Sequence, residues 1–226
     1  MVMVLVVLTF AAFIALDYFV LSKRPAEALS MAGAGAALEP VAVAGQSVPD
    51  GVFLQPQFTW SRFGASGEVY LGVHPMLLGL VGSPSAVAFL EVGKRIVKGE
   101  PLARLERAGR KLTVRSPVTG VVERVNASAQ GGARWSGAEG NDGAWLYRIQ
   151  ADRVGDEVPR WFLGEQAAEW TRRRYHELRA YLQEAVAAGH LGTVMADGGE
   201  LPQGILGEMD ESVWTGLDDR FLAHSD

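Results

Sequence analysis

The stretch Leu105–Val122, LERAGRKLTVRSPVTGVV, decides the fold, because it contains two runs of β-forming residues that surround a short polar turn. The turn reads Arg107-Ala108-Gly109-Arg110-Lys111. Glycine tolerates the positive φ angle that a tight hairpin requires, so Gly109 marks the turn. The stretch therefore predicts a β-hairpin with Gly109 at its tip.

Similar short runs of β-forming residues, each bounded by turn residues, lie on both sides of this hairpin. Their spacing predicts a mainly β domain built as a small sandwich or barrel. A proline at the start of Pro75–Gly82 indicates a short helix there. The predicted strands are Glu68–Val73, Ala86–Leu90, Lys111–Val114, Gly120–Val125 and Trp145–Ile149.

From Gly164 the apolar residues recur with the period of a helix, and Gly189 is a suitable stop. The pattern predicts an amphipathic helix of about 24 residues. Its basic run, Arg172–Arg174, is interpreted as a solvated face, with contact to anionic lipid headgroups as the alternative. The residues of the predicted buried stripe are Ala167, Trp170, Arg174, Leu178, Tyr181, Leu182 and Ala185.

A second, shorter helix is predicted at Asp210–Leu222, with acidic residues near its start. Trp214, Leu217 and Phe221 share one face of it. This face is interpreted as part of the core, with a groove on a partner protein as the alternative.

The amino terminus is an almost unbroken apolar run that ends before Lys23 and Arg24. About 21 helical residues span roughly 30 Å, the thickness of the hydrocarbon core of a bilayer. No basic residue precedes the run, unlike a cleavable secretion signal, so it predicts a single-pass anchor. The two cations place the following domain on the cytoplasmic side of the inner membrane, with the amino terminus outside. Asp17 either reaches the interface or contacts a partner helix.

Composition excludes several classes of function. A net charge of −5 disfavours nucleic-acid binding, and the absence of cysteine excludes disulfides, thiolate nucleophiles and cysteine-ligated metals. The four histidines have no metal-ligand spacing, and no nucleophile elbow or phosphate-binding glycine loop is found. We therefore expect a non-enzyme without a cofactor, a metal or a small-molecule substrate.

A set of short motifs resembles the glycine cleavage system H-protein family, over about a hundred residues. The resemblance implies a flattened barrel-sandwich hybrid of the lipoyl-domain type, whose members carry a lipoyl group on a hairpin lysine. Counted without a gap, that position falls on Gly109, and the one nearby amine is Lys111, two residues along the returning strand. The motifs are Phe58-Thr59-Trp60-Ser61-Arg62, Leu71-Gly72-Val73, Leu90-Glu91-Val92-Gly93, Ser116-Pro117-Val118-Thr119-Gly120 and Gly143-Ala144-Trp145-Leu146.

These observations predict four parts: a transmembrane anchor (1–24), an Ala/Gly/Pro-rich linker (25–51), an H-protein-like β sandwich (52–152) and a helical extension (153–226). Without a lysine at the tip, the expected function is a non-catalytic, non-lipoylated accessory subunit of a larger membrane complex. The expected complex is one of respiratory or photosynthetic electron transfer, with integral membrane subunits and the bilayer as partners. The alternatives are a lipoyl carrier modified at Lys111 and a membrane-fusion-type transport adaptor.

Overall fold

The computed structural model describes residues 48, 50–82, 85–87, 90–126, 145–189 and 201–223. All of them belong to one compact unit. The predicted anchor (1–24) lies outside the described residues, as does nearly all of the predicted linker (25–51). Among the helices that the structure describes, none has both the length and the apolar character needed to cross a bilayer.

Two antiparallel sheets form the β part of the domain. The described strands are β1 Phe53–Gln55, β2 Thr59–Phe63, β3 Val69–Val73, β4 Ser85–Val87, β5 Arg95–Ile96, β6 Pro101–Arg107, β7 Arg110–Arg115, β8 Gly120–Val125, β9 Tyr147–Ala151 and β10 Phe162–Leu163. A seven-stranded sheet has the order β10-β1-β2-β3-β9-β8-β5, and a three-stranded sheet has the order β4-β6-β7. The predicted mainly β architecture is confirmed, and the predicted strand Gly120–Val125 matches residue for residue.

The helices lie between and after the strands. Helix α1 is Pro75–Val81, with Pro75 in its first turn, as predicted. Helix α2 is Gly164–Ala187, the predicted 24 residues, and α3 is Glu211–Leu217, followed directly by a π-helical turn. That turn is Asp218–Leu222, and three 3-10 turns are Val154–Asp156, Val158–Arg160 and Ile205–Glu208.

Helix α2 packs on the sheet through an aromatic contact in its first two turns. Trp170 stacks on Phe162 of β10, with ring centroids 5.6 Å apart, and lies 5.4 Å from the ring of Phe58. The buried stripe differs from the predicted one, because Thr171 and Tyr175 are buried where Arg174 and Tyr181 were expected. The two expected residues are half-buried at the border of the helix face.

The basic run of α2 divides between solvent and the border of the core. Arg172 and Arg173 are exposed, as predicted for a solvated face. Arg174 instead lies over the Trp170 ring, 5.9 Å from its centroid, and donates a hydrogen bond to Glu177 at 2.6 Å. Its aliphatic stem and planar head let it bridge an aromatic ring and water.

His74 begins α1 and is buried against α2. Its Nδ1 accepts a hydrogen bond from the backbone N–H of Met76 at 3.1 Å, so it caps the helix with a ring nitrogen. In the neutral ring the proton is therefore on Nε2, which lies 3.5 Å from Thr171 Oγ1. Burial lowers the pKa of His74 to about 4, so the ring is neutral at physiological pH.

Candidate functional site

The hairpin formed by β6 and β7 closes on a two-residue turn. Ala108 and Gly109 have φ angles of 50° and 78°, and Arg107 is the register partner of Arg110. Two successive positive φ angles define a type I′ turn, which matches the right-handed twist of the strands. Apart from its chain neighbours, no described residue has an atom within 4 Å of where a Cβ on Gly109 would be, so the described part of the chain leaves the tip unobstructed.

The only lysine of the hairpin lies on its outer face, away from the tip. Lys111 is exposed on β7 and is paired in register with Glu106 of β6. Side chains alternate between the faces of a strand, and the opposite face holds the buried pair Leu105 and Leu112. An amine at Lys111 therefore projects from the side of a strand and not from the end of the hairpin.

We expect the substitution Gly109→Lys to lower the free energy of unfolding by about 1 kcal/mol, because lysine rarely adopts a positive φ angle. The new side chain meets no neighbour, so no packing penalty is added. Gly155→Lys is the matched control, since Gly155 is equally unobstructed and has no positive φ angle. Urea denaturation checks this, and equal losses for both variants would contradict it.

At the base of the tip, Arg107 enters a slot lined by three glycines. Its guanidinium donates a hydrogen bond to the carbonyl of Val81, the last residue of α1, at 2.6 Å. A Cβ on Gly204 or Gly207 would lie 2.5 Å from guanidinium nitrogens, and one on Gly82 would lie closer still. Only glycine leaves room for this charge, which lies at the negative end of a helix that has no basic residue in its own last turn.

Arg110 makes the corresponding contact on β7. Its Nη1 donates a hydrogen bond to the carbonyl of Gly207 at 3.1 Å. Two like charges directly opposite each other on paired strands are destabilising unless each has its own acceptor. The carbonyls of Val81 and Gly207 supply those acceptors, so α1 and the residues after 201 stabilise the two arginines at the base of the hairpin turn.

These contacts were not predicted from the sequence. Arg107 and Val81 are 26 residues apart, and Arg110 and Gly207 are 97 apart. The one local signal is the pair of glycines in Gly204-Ile205-Leu206-Gly207, which alone does not say what approaches them. In the part of the chain that the structure describes, no three His, Cys, Asp or Glu residues are grouped as a metal site.

Comparisons with known proteins agree with the predicted resemblance. A sequence model of the family described as Glycine cleavage H-protein matches residues 53–173. The glycine cleavage system H protein of Aeromonas salmonicida is 30% identical over 97 residues, which are 43% of this chain and 75% of the relative. The probable glycine cleavage system H protein of Pyrococcus abyssi is 26% identical over 125 residues, which are 55% of this chain and 92% of the relative.

A crystal structure of the glycine cleavage system H protein from Mycobacterium marinum aligns with a TM-score of 0.41 and 22% identity, covering 46% of this chain and 86% of that one. The family match at residues 53–173 covers the hairpin, and it ends before the C-terminal residues that contact Arg110. Because that match spans more than half of the 226 residues, this chain belongs to the glycine cleavage H-protein family.

Proposed function

We propose that this chain is a non-lipoylated accessory subunit of a membrane complex, in which the H-protein fold serves as a docking domain. The observation that carries the proposal is the hairpin tip, where Ala108 and Gly109 form the turn and no amine is present. An arm that visits several partner sites needs a long tether on an unobstructed tip. A glycine there supports the turn and cannot form the amide.

The apolar run Met1–Leu21, within the predicted anchor (1–24), is the basis for the membrane part of the proposal. It is long enough to span a bilayer, and Lys23 and Arg24 favour a cytoplasmic position for the H-protein domain. Complexes of respiratory or photosynthetic electron transfer are the class we propose to test first. In this arrangement the anchor attaches the chain to the complex, and the H-protein domain contributes a binding surface.

A second candidate is a lipoyl carrier modified at Lys111, which is favoured by one observation. Lys111 is exposed, so its amine is accessible to a modifying enzyme. An arm attached there would leave from the outer face of β7, beside Glu106, and its reach would be limited by the sheet. The transport adaptor remains the third candidate; the two-residue turn leaves no place for a coiled-coil insertion at the tip of this hairpin.

One experiment separates the first two candidates. We expect the Lys111→Arg variant, extracted from membranes in mild detergent, to co-purify with the same larger subunits as the wild type on a native gel. Arginine keeps the charge and cannot form a lipoyl amide. We also expect the intact mass of the wild-type chain to show no lipoyl group.

Lys94→Arg is the control for the change itself, since Lys94 is an exposed lysine outside the hairpin. Two results together would establish the carrier: a lipoyl group on Lys111 of the wild type, and loss of both this group and the activity of the complex in Lys111→Arg but not in Lys94→Arg. Recovery of the wild type only as a free monomer would refute the accessory-subunit proposal.

A further inference from the structure

The residues from Leu201 to Leu222, which we call the C-terminal cover, lie beyond the family match and are packed as core. The cover begins 28 positions after the match ends at residue 173. Its 22 residues include nine apolar side chains that are almost wholly buried. They are Leu201, Ile205, Leu206, Met209, Val213, Trp214, Leu217, Phe221 and Leu222.

Hydrogen bonds from helices α1 and α2 hold the cover in one position. The hydroxyl of Tyr175 accepts from the backbone N–H of Leu201 at 3.0 Å, and that of Tyr181 donates to the carbonyl of Val213 at 2.9 Å. The backbone N–H of Gly204 donates to the carbonyl of Gly79 in α1 at 2.7 Å. The start and the middle of the cover are therefore fixed to helices α1 and α2.

The cover contacts the hairpin at two places, along the edge of β7 and near the tip. Among the described strands, β7 is an edge strand that pairs with β6 alone, and both α3 and the π-helical turn contact it. At that edge burial raises the pKa of the half-buried Asp218, and the backbone N–H of Thr113 in β7 opposes this shift. Nearer the tip, Arg110 donates to the carbonyl of Gly207. An unpaired strand edge is a ready site for another chain, and here it is already taken.

An enzyme that modifies a hairpin tip needs more surface than the tip itself. A stable protein contact buries about 800 Å² on each partner, whereas the tip here consists of two small residues. Such an enzyme must therefore also bind the flanks of the hairpin. The outer face that holds Lys111 is open, but the edge of β7 and the region around Arg110 are covered.

We propose that the C-terminal cover shields the hairpin from tip-modifying enzymes of the lipoate ligase class. This inference rests on the proposed function, in which the hairpin no longer carries a lipoyl group. It adds that loss of the tip lysine is not the only barrier. Even with an amine at position 109, the closed cover keeps an enzyme from binding the hairpin, whereas a small reagent reaches the tip freely.

The test uses the full chain in mild detergent, with an amine restored at the tip by Gly109→Lys. Each variant is incubated with a lipoate–protein ligase, lipoic acid and ATP. The enzyme forms lipoyl-adenylate and pyrophosphate, then the lysine amine displaces AMP to form the amide. Peptide mass spectrometry measures modification at position 109. Gly109→Lys alone is expected to be modified slowly.

Opening the cover is expected to accelerate this reaction by about tenfold or more, since the open population rises tenfold for each 1.4 kcal/mol lost from closure. Gly207→Ala is added to open it, because the new Cβ displaces Arg107. Gly155→Ala is the matched control, since both glycines lie in 3-10 turns, neither has a positive φ angle, and Gly155 meets nothing within 4 Å. Should Gly207→Ala lose its far-UV circular dichroism spectrum, Arg110→Gln replaces it, because that change removes the hydrogen bond to Gly207, together with the charge facing Arg107, and adds no atoms to the slot.

Acetylation by a small amine-reactive ester is measured in parallel and is expected to be equally fast in all variants. The rate of backbone amide hydrogen exchange in β7 is expected to rise in the double variant Gly109→Lys/Gly207→Ala and not in Gly109→Lys/Gly155→Ala. Equal ligation rates with the cover closed and opened would overturn the proposal. That result would leave the proposed function standing, whereas lipoylation of Lys111 in the wild-type chain would refute both the proposed function and the shielding by the cover.

Discussion

Replacing Trp214 by alanine is expected to lower the free energy of unfolding by about 3–5 kcal/mol, the range for a large aromatic residue in a packed core. Trp214 is 1% exposed, and its Nε1 donates a hydrogen bond to the carbonyl of Leu206 at 2.7 Å. The change leaves a cavity in the core and removes one hydrogen bond from the Leu206 carbonyl, which still accepts from the backbone N–H of Met209 at 3.1 Å. Urea denaturation of the full chain in mild detergent, followed by far-UV circular dichroism, measures the loss.

Trp214→Phe is the control that separates volume from hydrogen bonding. It keeps most of the ring and removes the N–H, so we expect it to cost about 0.5–1.5 kcal/mol, the usual net contribution of one hydrogen bond, since the Leu206 carbonyl keeps its bond from Met209. A loss below about 1 kcal/mol for Trp214→Ala would contradict the buried position of this side chain, since surface substitutions usually stay within about 0.5 kcal/mol. It would also show that the C-terminal cover is not part of the cooperative core.

The second large effect is a fall in stability on acidification that depends on His74. Its ordinary pKa of 6.5 applies to the unfolded chain, and burial lowers the pKa to about 4 in the folded protein. Between these values the unfolded state binds more protons than the folded state. The contribution of His74 to the free energy of unfolding is therefore fully present above pH 6.5 and is lost as the pH falls towards 4. The difference corresponds to about 3 kcal/mol.

His74→Asn isolates this contribution, because asparagine can cap α1 and does not titrate. Carboxyl groups titrate in the same range in both proteins, so the measured quantity is the difference between their stability curves from pH 7 to 4. We expect the wild type to lose about 3 kcal/mol more than the variant over this range. Parallel curves would show that His74 is hydrated or charged in the folded protein.

The acid sensitivity of His74 follows from its aromatic neighbours on α2 and before β2. In the folded protein the ring lies beside Trp170, with centroids 5.6 Å apart, and beside Phe58 at 6.3 Å. An imidazolium in this apolar position would lose its hydration, and no acidic side chain of the described residues shifts its pKa in compensation. The same packing that buries the histidine therefore makes the α1–α2 contact sensitive to acid.

The sequence by itself determined the local elements, because their causes are local. Apolar and polar residues alternate or recur within a few positions, and Pro75 and Gly109 fix backbone angles at their own positions. These signals were enough to place the hairpin, α1, the strand Gly120–Val125 and the full length of α2. The family motifs also lie within short segments, so the H-protein resemblance was visible before the fold was known.

Only the tertiary structure decided what surrounds the hairpin. The slot for Arg107, the acceptor for Arg110 and the edge contact of Asp218 join residues that are far apart in the chain. Periodicity marked Trp214 and Phe221 as one apolar face but could not say whether a partner or this chain covers it. Whether this chain covers the face depends on complementary shape, on the space that three glycines leave for the Arg107 guanidinium and on the acceptor carbonyls of Val81 and Gly207. These features exist only once the chain has folded.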